Sequence, residues 1–159
     1  MRLGEGVEWA LHCCLTLAWL RDKGPISTAR LASIFDLPAP YLNKCLQSMV
    51  RAGVLKSFAG AKGGLQLARP PEKISLWDVV SAVDGGEPAF RCTEIRQRGI
   101  GCHASKRDFS RPCGIASAMR KAEQAWRDEL EAQTIADLLA AAPPTAEKRI
   151  LHWHRGDAM

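Results

Sequence analysis

The chain has 159 residues, is 47% hydrophobic and 25% charged, and carries a formal net charge of +5, which suits one soluble domain or one small domain with an oligomerisation helix. No stretch reaches the roughly 18 apolar residues of a membrane span, and none has a signal-peptide pattern. We therefore expect a cytoplasmic protein with reduced thiols and no membrane partner. Residues 1–70 hold nine basic and four acidic side chains, whereas residues 71–159 hold thirteen of each. The basic half is either a solvated surface or the footprint of nucleic-acid binding.

The first half of the chain is predicted to begin with three helices. Apolar residues recur at helical spacing from Gly4 to Asp22, and Gly24-Pro25 stops that helix. Ser27 or Thr28 is expected to cap a short second helix. A third helix follows from about Ala39 to Ala52.

A β-hairpin and a fourth helix are predicted next. Residues 54–58 and 65–67 alternate between apolar and polar on either side of a glycine-rich turn. A helix capped by Ser75 then extends from Leu76 to Val83. This order of elements is typical of a winged helix-turn-helix. Residues 1–86 are therefore predicted to be a DNA-binding domain, in a fold that is mainly α with a small β-hairpin.

The second half is predicted to contain a metal-binding loop and a dimerisation helix. Residues 87–113 show no periodicity and hold three cysteines in polar surroundings, which suggests a metal site. Residues 114–142 predict one long helix whose apolar stripe exceeds what a small domain can cover, so we expect a partner helix from a second subunit. Residues 143–159 are expected to form a flexible tail.

Several segments resemble the Rrf-two-type family of iron–sulfur transcription regulators, over about residues 1–140. The segments that carry the resemblance are Val7–Leu11, Pro40–Leu42, Arg51–Leu55, Gly63–Pro70 and Ile74–Val80. The resemblance implies a homodimer that binds a palindromic operator in double-stranded DNA, as a repressor, with a cluster that sets its affinity.

The cysteine spacing differs from the commoner family pattern, in which three cysteines lie about five residues apart. Here nine residues separate Cys92 from Cys102, and ten separate Cys102 from Cys113. The segments 6–14 and 90–99 most resemble the redox-sensing RsrR-like branch. That branch implies a 2Fe-2S cluster held by Glu and His of one subunit and two Cys of the other.

The resemblance implies that Glu8 and His12 are cluster ligands. They stand four residues apart on the first helix and therefore share a face; the alternative is a simple hydrogen-bonded pair. We assign Cys102 and Cys113 as the thiolate ligands, with pairs that include Cys92 as the alternative. Histidine in place of thiolate raises the reduction potential of such a centre.

The DNA-binding residues are predicted on the second and third helices and on the wing. Asn and Gln side chains pair with adenine and Lys with guanine, whereas helix N-termini and hydroxyls suit phosphates. Each of these residues alone could equally be an ordinary surface side chain. The candidates are Ser27, Thr28, Arg30, Tyr41, Asn43, Lys44, Gln47 and Lys62.

Two other kinds of function are alternatives to this interpretation. A winged-helix regulator that senses iron or zinc without a cluster would use the same cysteines. An enzyme is not expected, because the sequence has no Cys-x-x-Cys motif, nucleotide-binding loop or Ser/His/Asp arrangement that would support catalysis.

Overall fold

A computed structural model describes residues 3–156 of the chain. Within them, no helix combines the length and apolar character needed to cross a membrane. The elements in chain order are α1 Glu5–Trp19, α2 Thr28–Ile34, α3 Ala39–Arg51, β1 Leu55–Phe58, β2 Gly64–Leu67, α4 Leu76–Asp84, α5 Gly114–Ala132, α6 Ile135–Ala141 and α7 Pro144–Arg155.

The first four helices and the hairpin form the predicted winged helix-turn-helix, so the predicted fold class is confirmed. Helix α3 buries one face against α1, α2 and α4, through Leu42, Leu46 and Met49. Helix α1 contributes Cys13, Cys14 and Leu17 to the same core. The opposite face of α3 is left exposed, as a reading helix requires.

Side-chain caps fix where α2 and α4 begin. The Ser27 hydroxyl accepts a hydrogen bond from the backbone amide of Arg30 at 3.3 Å. Ser75 and Asp78 form a reciprocal capping box, with both hydrogen bonds at 3.0 Å. Such caps satisfy backbone amides that have no partner within the helix. Both predicted caps are confirmed.

The wing is attached to the start of α2 by a third extended segment. Strands β1 and β2 pair antiparallel, and Ile26 exchanges backbone hydrogen bonds with Leu65 at 3.0 and 2.8 Å. The backbone of Gly64 has a φ of +154°, and a Cβ there would lie 2.5 Å from the carbonyl oxygen of Ile26. Only glycine fits this close approach of two backbones.

The long helix expected over 114–142 is two helices in the structure, because the chain turns at Gln133. The backbone of Gln133 accepts a hydrogen bond from the Leu76 amide, and the Ile135 amide donates one to Ile74, both at 2.9 Å. Thr134 then starts α6 with a capping box to Asp137. The extended link lies across the start of α4 and buries Ile135 completely.

Helix α7 occupies residues 144–155, where the sequence analysis expected a flexible tail. Pro144 stands in its first turn, where a missing amide hydrogen costs nothing. Ile150, Leu151 and Trp153 pack against the core, which explains why the segment forms a docked helix. The last three residues of the expected tail lie outside the described residues, and the division of the chain into domains stays a prediction.

Candidate metal centre and nucleic-acid interface

Glu8 and His12 lie together on α1, beside an open cavity of about 550 Å³. Both residues are exposed, and within residues 3–156 no hydrogen bond or ion pair joins their side chains. The His12 ring packs against Phe35 at the end of α2, with the ring centroids 5.4 Å apart. The rest of the lining is mainly apolar: Leu3, Gly4, Glu5, Val7, Leu11, Leu15 and Leu138. This face presents a carboxylate oxygen and an imidazole nitrogen, both suited to metal binding, that have no hydrogen-bond or ion-pair partner among the described residues.

Two of the three loop cysteines are brought together, although 20 residues separate them in the sequence. The sulfurs of Cys92 and Cys113 and a carboxylate oxygen of Glu94 all lie within 4.8 Å of one another. Cys102 lies outside this group and is exposed in the short 3-10 turn 99–103. Cys113 therefore lies next to Cys92, which belongs to the alternative ligand pairs, while the choice of ligands stays a prediction.

Cys113 stands where its thiolate form is stabilised. It is the residue before the first turn of α5, and the backbone amides of Ala116 and Ile115, with the Arg96 guanidinium, lower the pKa of its thiol against the opposing effect of burial. Helix N-termini and basic neighbours lower thiol pKa values in general. Thiolate is the form that binds iron or zinc.

Glu94 is already held by an arginine. Arg96 donates to Glu94 through Nε and through Nη2, the second bond at 2.9 Å, and this bonding lowers the pKa of the Glu94 carboxyl. Arg96 also donates to the carbonyl of Arg111 and lies over the ring of Phe109. No sequence pattern indicates this pair, although its contacts fix the loop around the two cysteines.

Cys13 and Cys14 are core residues of α1. Both are fully buried. Burial raises the pKa of Cys13 to about 12 and that of Cys14 well above its ordinary value. Since both thiols stay protonated and enclosed, they are unsuited to metal binding.

The predicted DNA-binding residues lie on α2, on α3 and in the wing, and most of them are exposed. On α3, Tyr41 is 68% exposed, and Asn43, Lys44 and Gln47 are exposed opposite the buried face. At the start of α2, Arg30 is exposed, while Ser27 and Thr28 are half-buried; Lys62 is exposed in the turn of the wing. These exposures are compatible with the predicted DNA contacts of a winged helix-turn-helix, and the assignment of each residue stays a prediction.

An aromatic contact joins the two candidate sites. The ring of Trp9, the residue after Glu8, meets the ring of Tyr41 edge to face, with centroids 6.5 Å apart. Trp9 therefore connects the helix of the donor pair with the exposed face of α3.

The family is shown by comparison with known proteins. The model of the Rrf2 family, described as an iron-dependent transcriptional regulator, matches residues 3–141. The chain belongs to the Rrf2 family of transcription regulators. Rrf2 proteins bind DNA, are commonly dimeric, and are regulators rather than enzymes.

Individual relatives agree with this assignment. The putative HTH-type transcriptional regulator YffB of Lactococcus lactis is 32% identical over 123 residues, which are 77% of each chain. The structure of CymR, the global cysteine regulator of B. subtilis, has a TM-score of 0.66 at 21% identity, covering 90% of this chain and 99% of CymR. IscR of T. potens has a TM-score of 0.65 at 23% identity, covering 91% and 90%. The two structures support the fold alone.

Proposed function

We propose that this Rrf2 protein is a homodimeric repressor whose affinity for a palindromic operator is controlled by a redox-active 2Fe-2S cluster that bridges the subunits, as in the RsrR-like branch. Glu8 and His12 of one subunit and Cys92 and Cys113 of the other supply the ligands. The observation that carries the proposal is the grouping of Cys92 with Cys113 beside a lowered thiol pKa at Cys113.

The donors fit the group in number and kind. Thiolates and imidazoles are established ligands of iron–sulfur irons. One chain offers a pair of sulfur donors in one place and an oxygen–nitrogen pair in another, and Glu8 and His12 do not belong to the cysteine group. A second subunit brings the two half-sets together. When bound, the cluster supplies a one-electron redox change at the dimer interface.

Exposed apolar residues beside the cysteines support a partner subunit. Ile100 is 98% exposed, Ile95 and Ile115 are each 68% exposed, and Met119 on α5 is 43% exposed. The three isoleucines line one cavity of about 890 Å³ with Cys92 and Cys113. Large contiguous apolar patches of this kind mark interaction surfaces.

The alternative without a cluster is a zinc or iron ion held by Cys92, Cys113 and Glu94. It has one observation in its favour, since the three donor atoms are already close. However, the Glu94 carboxylate is engaged by Arg96, which leaves two sulfurs where a structural zinc site needs four ligands. A colourless protein that contains zinc and no acid-labile sulfide would favour this alternative.

The ligand assignment is tested by iron and sulfide analysis after anaerobic purification. We expect the Cys92→Ala and Cys113→Ala variants to contain neither iron nor sulfide. The Glu8→Ala and His12→Ala variants should lose most of their iron and sulfide. Cys102→Ala is the matched control and should keep the wild-type content. Retention by Cys92→Ala with loss by Cys102→Ala would restore the original assignment to Cys102 and Cys113.

Bridging is tested by mixing two defective chains. A Glu8→Ala/His12→Ala chain keeps both cysteines, and a Cys92→Ala/Cys113→Ala chain keeps the helix donors. Co-expressed heterodimers should regain one cluster per dimer, half of the wild-type iron, because one complete set of ligands forms across the interface. If all ligands came from the same chain, the heterodimer would contain no iron.

Control of DNA affinity is tested with the operator upstream of the regulated gene. Oxidised, reduced and iron-free protein should differ in affinity for that duplex, and an inverted half-site should abolish tight binding. Equal affinities in all three states would refute control by the cluster, while leaving DNA binding intact.

A further inference from the structure

Helix α7 is absent from the segment that the family model matches, which ends at residue 141, yet it is docked on the helix-turn-helix. The Arg30 guanidinium donates a hydrogen bond to the carbonyl of His154 at 3.2 Å. The same guanidinium lies 4.7 Å from the centroid of the Trp153 ring. The end of α7 is therefore in contact with a residue expected to face DNA phosphates at the start of α2.

The exposed side of α7 is cationic. The basic residues Lys148 and Arg155 are seven residues apart and so lie along one face, and Arg149 follows Lys148. A shallow surface cavity of about 560 Å³ is lined by Thr145, Lys148, Arg149, Leu151, His152 and Arg155. Glu147 is the single acidic residue of the helix. Basic residues near a helix C-terminus interact favourably with the helix dipole. This interaction explains a basic residue in the last turn of α7, but it does not explain Lys148 and Arg149.

The positive charge of α7 adds to charge already present on the DNA-binding domain. Burial lowers the pKa of His154, and the nearby charges of Arg30 and Lys23 lower it further. The guanidinium of Arg30 at the start of α2 therefore lies directly beside the end of α7. Twelve residues with a rise of about 1.5 Å each make α7 about 18 Å long, roughly half of a turn of duplex DNA.

We infer that α7 is an additional DNA-contacting element, whose cationic face binds the phosphates that flank the duplex segment held by α2 and α3. Charge complementarity and continuity with the start of α2 identify the occupant as the sugar–phosphate backbone of duplex DNA. This inference rests on DNA binding by the helix-turn-helix and is independent of the cluster.

The test uses the full-length protein and a fluorescein-labelled 40-base-pair duplex of mixed sequence, titrated by anisotropy at several salt concentrations. The Lys148→Ala/Arg149→Ala variant should bind more weakly, by up to about eightfold per lost phosphate contact at 0.1 M salt, and its log–log salt slope should be shallower by about 0.9 per contact. The matched control is Arg120→Ala/Lys121→Ala, which removes an equally exposed Arg-Lys pair from α5.

Each outcome decides the inference. An unchanged affinity and slope for Lys148→Ala/Arg149→Ala would overturn it, as would an equal loss in the α5 control, which would indicate only an effect of net charge. Tighter binding by the α7 variant would overturn it in favour of a helix that withholds Arg30 from DNA. If Lys44→Ala weakens binding and the α7 variant does not, only the inference fails. A wild type that does not bind this mixed-sequence duplex also refutes the inference, while the proposed binding to a palindromic operator is decided by its own titration.

Discussion

The position of α5, and with it of Cys113, depends on a set of contacts made by Arg127. Helix α5 buries only Ala116 among the described residues. Arg127 donates to the carbonyl of Gly86 at 2.9 Å and to Glu123 at 2.8 Å. Its guanidinium lies 4.7 Å from the centroid of the Trp77 ring, which in turn meets Trp126 edge to face. Replacing Arg127 by Ala removes all three interactions at once.

The loss in the free energy of unfolding follows from the energies of these contacts. A partly desolvated cation–π contact is worth about 0.5–2 kcal/mol, and a hydrogen bond from a charged donor about 1.5–3 kcal/mol. An i,i+4 ion pair such as Glu123–Arg127 adds only about 0.3–0.5 kcal/mol. The buried Nε of Arg127 has no hydrogen-bond partner in the described chain, a cost that the substitution removes. We therefore expect Arg127→Ala to lower the free energy of unfolding by about 2–3 kcal/mol, towards the lower end of the sum.

Urea unfolding followed by circular dichroism measures this change, at one fixed protein concentration because dimer stability depends on concentration. Arg120→Ala, on the same helix but exposed, is the matched control and should stay within about 0.5 kcal/mol of wild type. Arg127→Lys should recover only part of the loss, since a lysine keeps the charge but not the planar guanidinium. A loss below about 0.5 kcal/mol for Arg127→Ala would refute the reasoning.

Three further predictions follow. Lys44→Ala should weaken operator binding and make its salt dependence shallower by about one, which a gel-shift series at fixed salt steps measures; an unchanged series would remove Lys44 from the interface. Cys13 and Cys14 should resist alkylation at pH 8 in iron-free folded protein. Rapid labelling of both thiols would contradict their burial. The folded state keeps thiol protons that the unfolded chain releases above the ordinary thiol pKa of 9.0. The free energy of unfolding should therefore fall as pH rises from about 9 towards 12. Gly6→Ala places a Cβ 2.9 Å from the Cys45 sulfur, so it should destabilise by about 1–3 kcal/mol, and by less when combined with Cys45→Ala; equal losses in both backgrounds would rule out this clash.

The winged domain could be predicted from the sequence because each of its elements carries a local signal. Buried positions recur at helical spacing on α3, and the caps at Ser27 and Ser75 are local. The break at Gln133 has a local signal as well, the Thr134–Asp137 capping box. That signal was outweighed by an apolar stripe that continues through the break. The apolar residues of the stripe do recur at helical spacing. However, Ile135 is buried because the link between α5 and α6 is hydrogen-bonded to the start of α4, and a tertiary contact of this kind leaves no periodic pattern in the sequence.

The candidate site shows what local patterns leave undetermined. Glu8 and His12 are one helical turn apart, so their shared face follows from the spacing alone. Cys92 and Cys113 meet only because the loop between them folds back, held by Arg96 and Glu94. Nothing in a segment without periodicity distinguishes Cys92 from Cys102 as the partner of Cys113. The preference for Cys92 therefore needed the tertiary structure.

The arrangement of α1 explains how a change at the proposed ligands would reach DNA without a hinge. Glu8 is followed by Trp9, whose ring packs on Tyr41 of α3. His12 packs on Phe35 at the end of α2. Glu8 is thus linked through its neighbour Trp9 to α3, and His12 is in direct contact with the end of α2. Close-packed interiors transmit displacements instead of absorbing them. A shift of α1 on loss or oxidation of the proposed cluster would therefore move α2 and α3 together. The two subunits of the proposed dimer would then present their α3 helices to DNA at a different spacing.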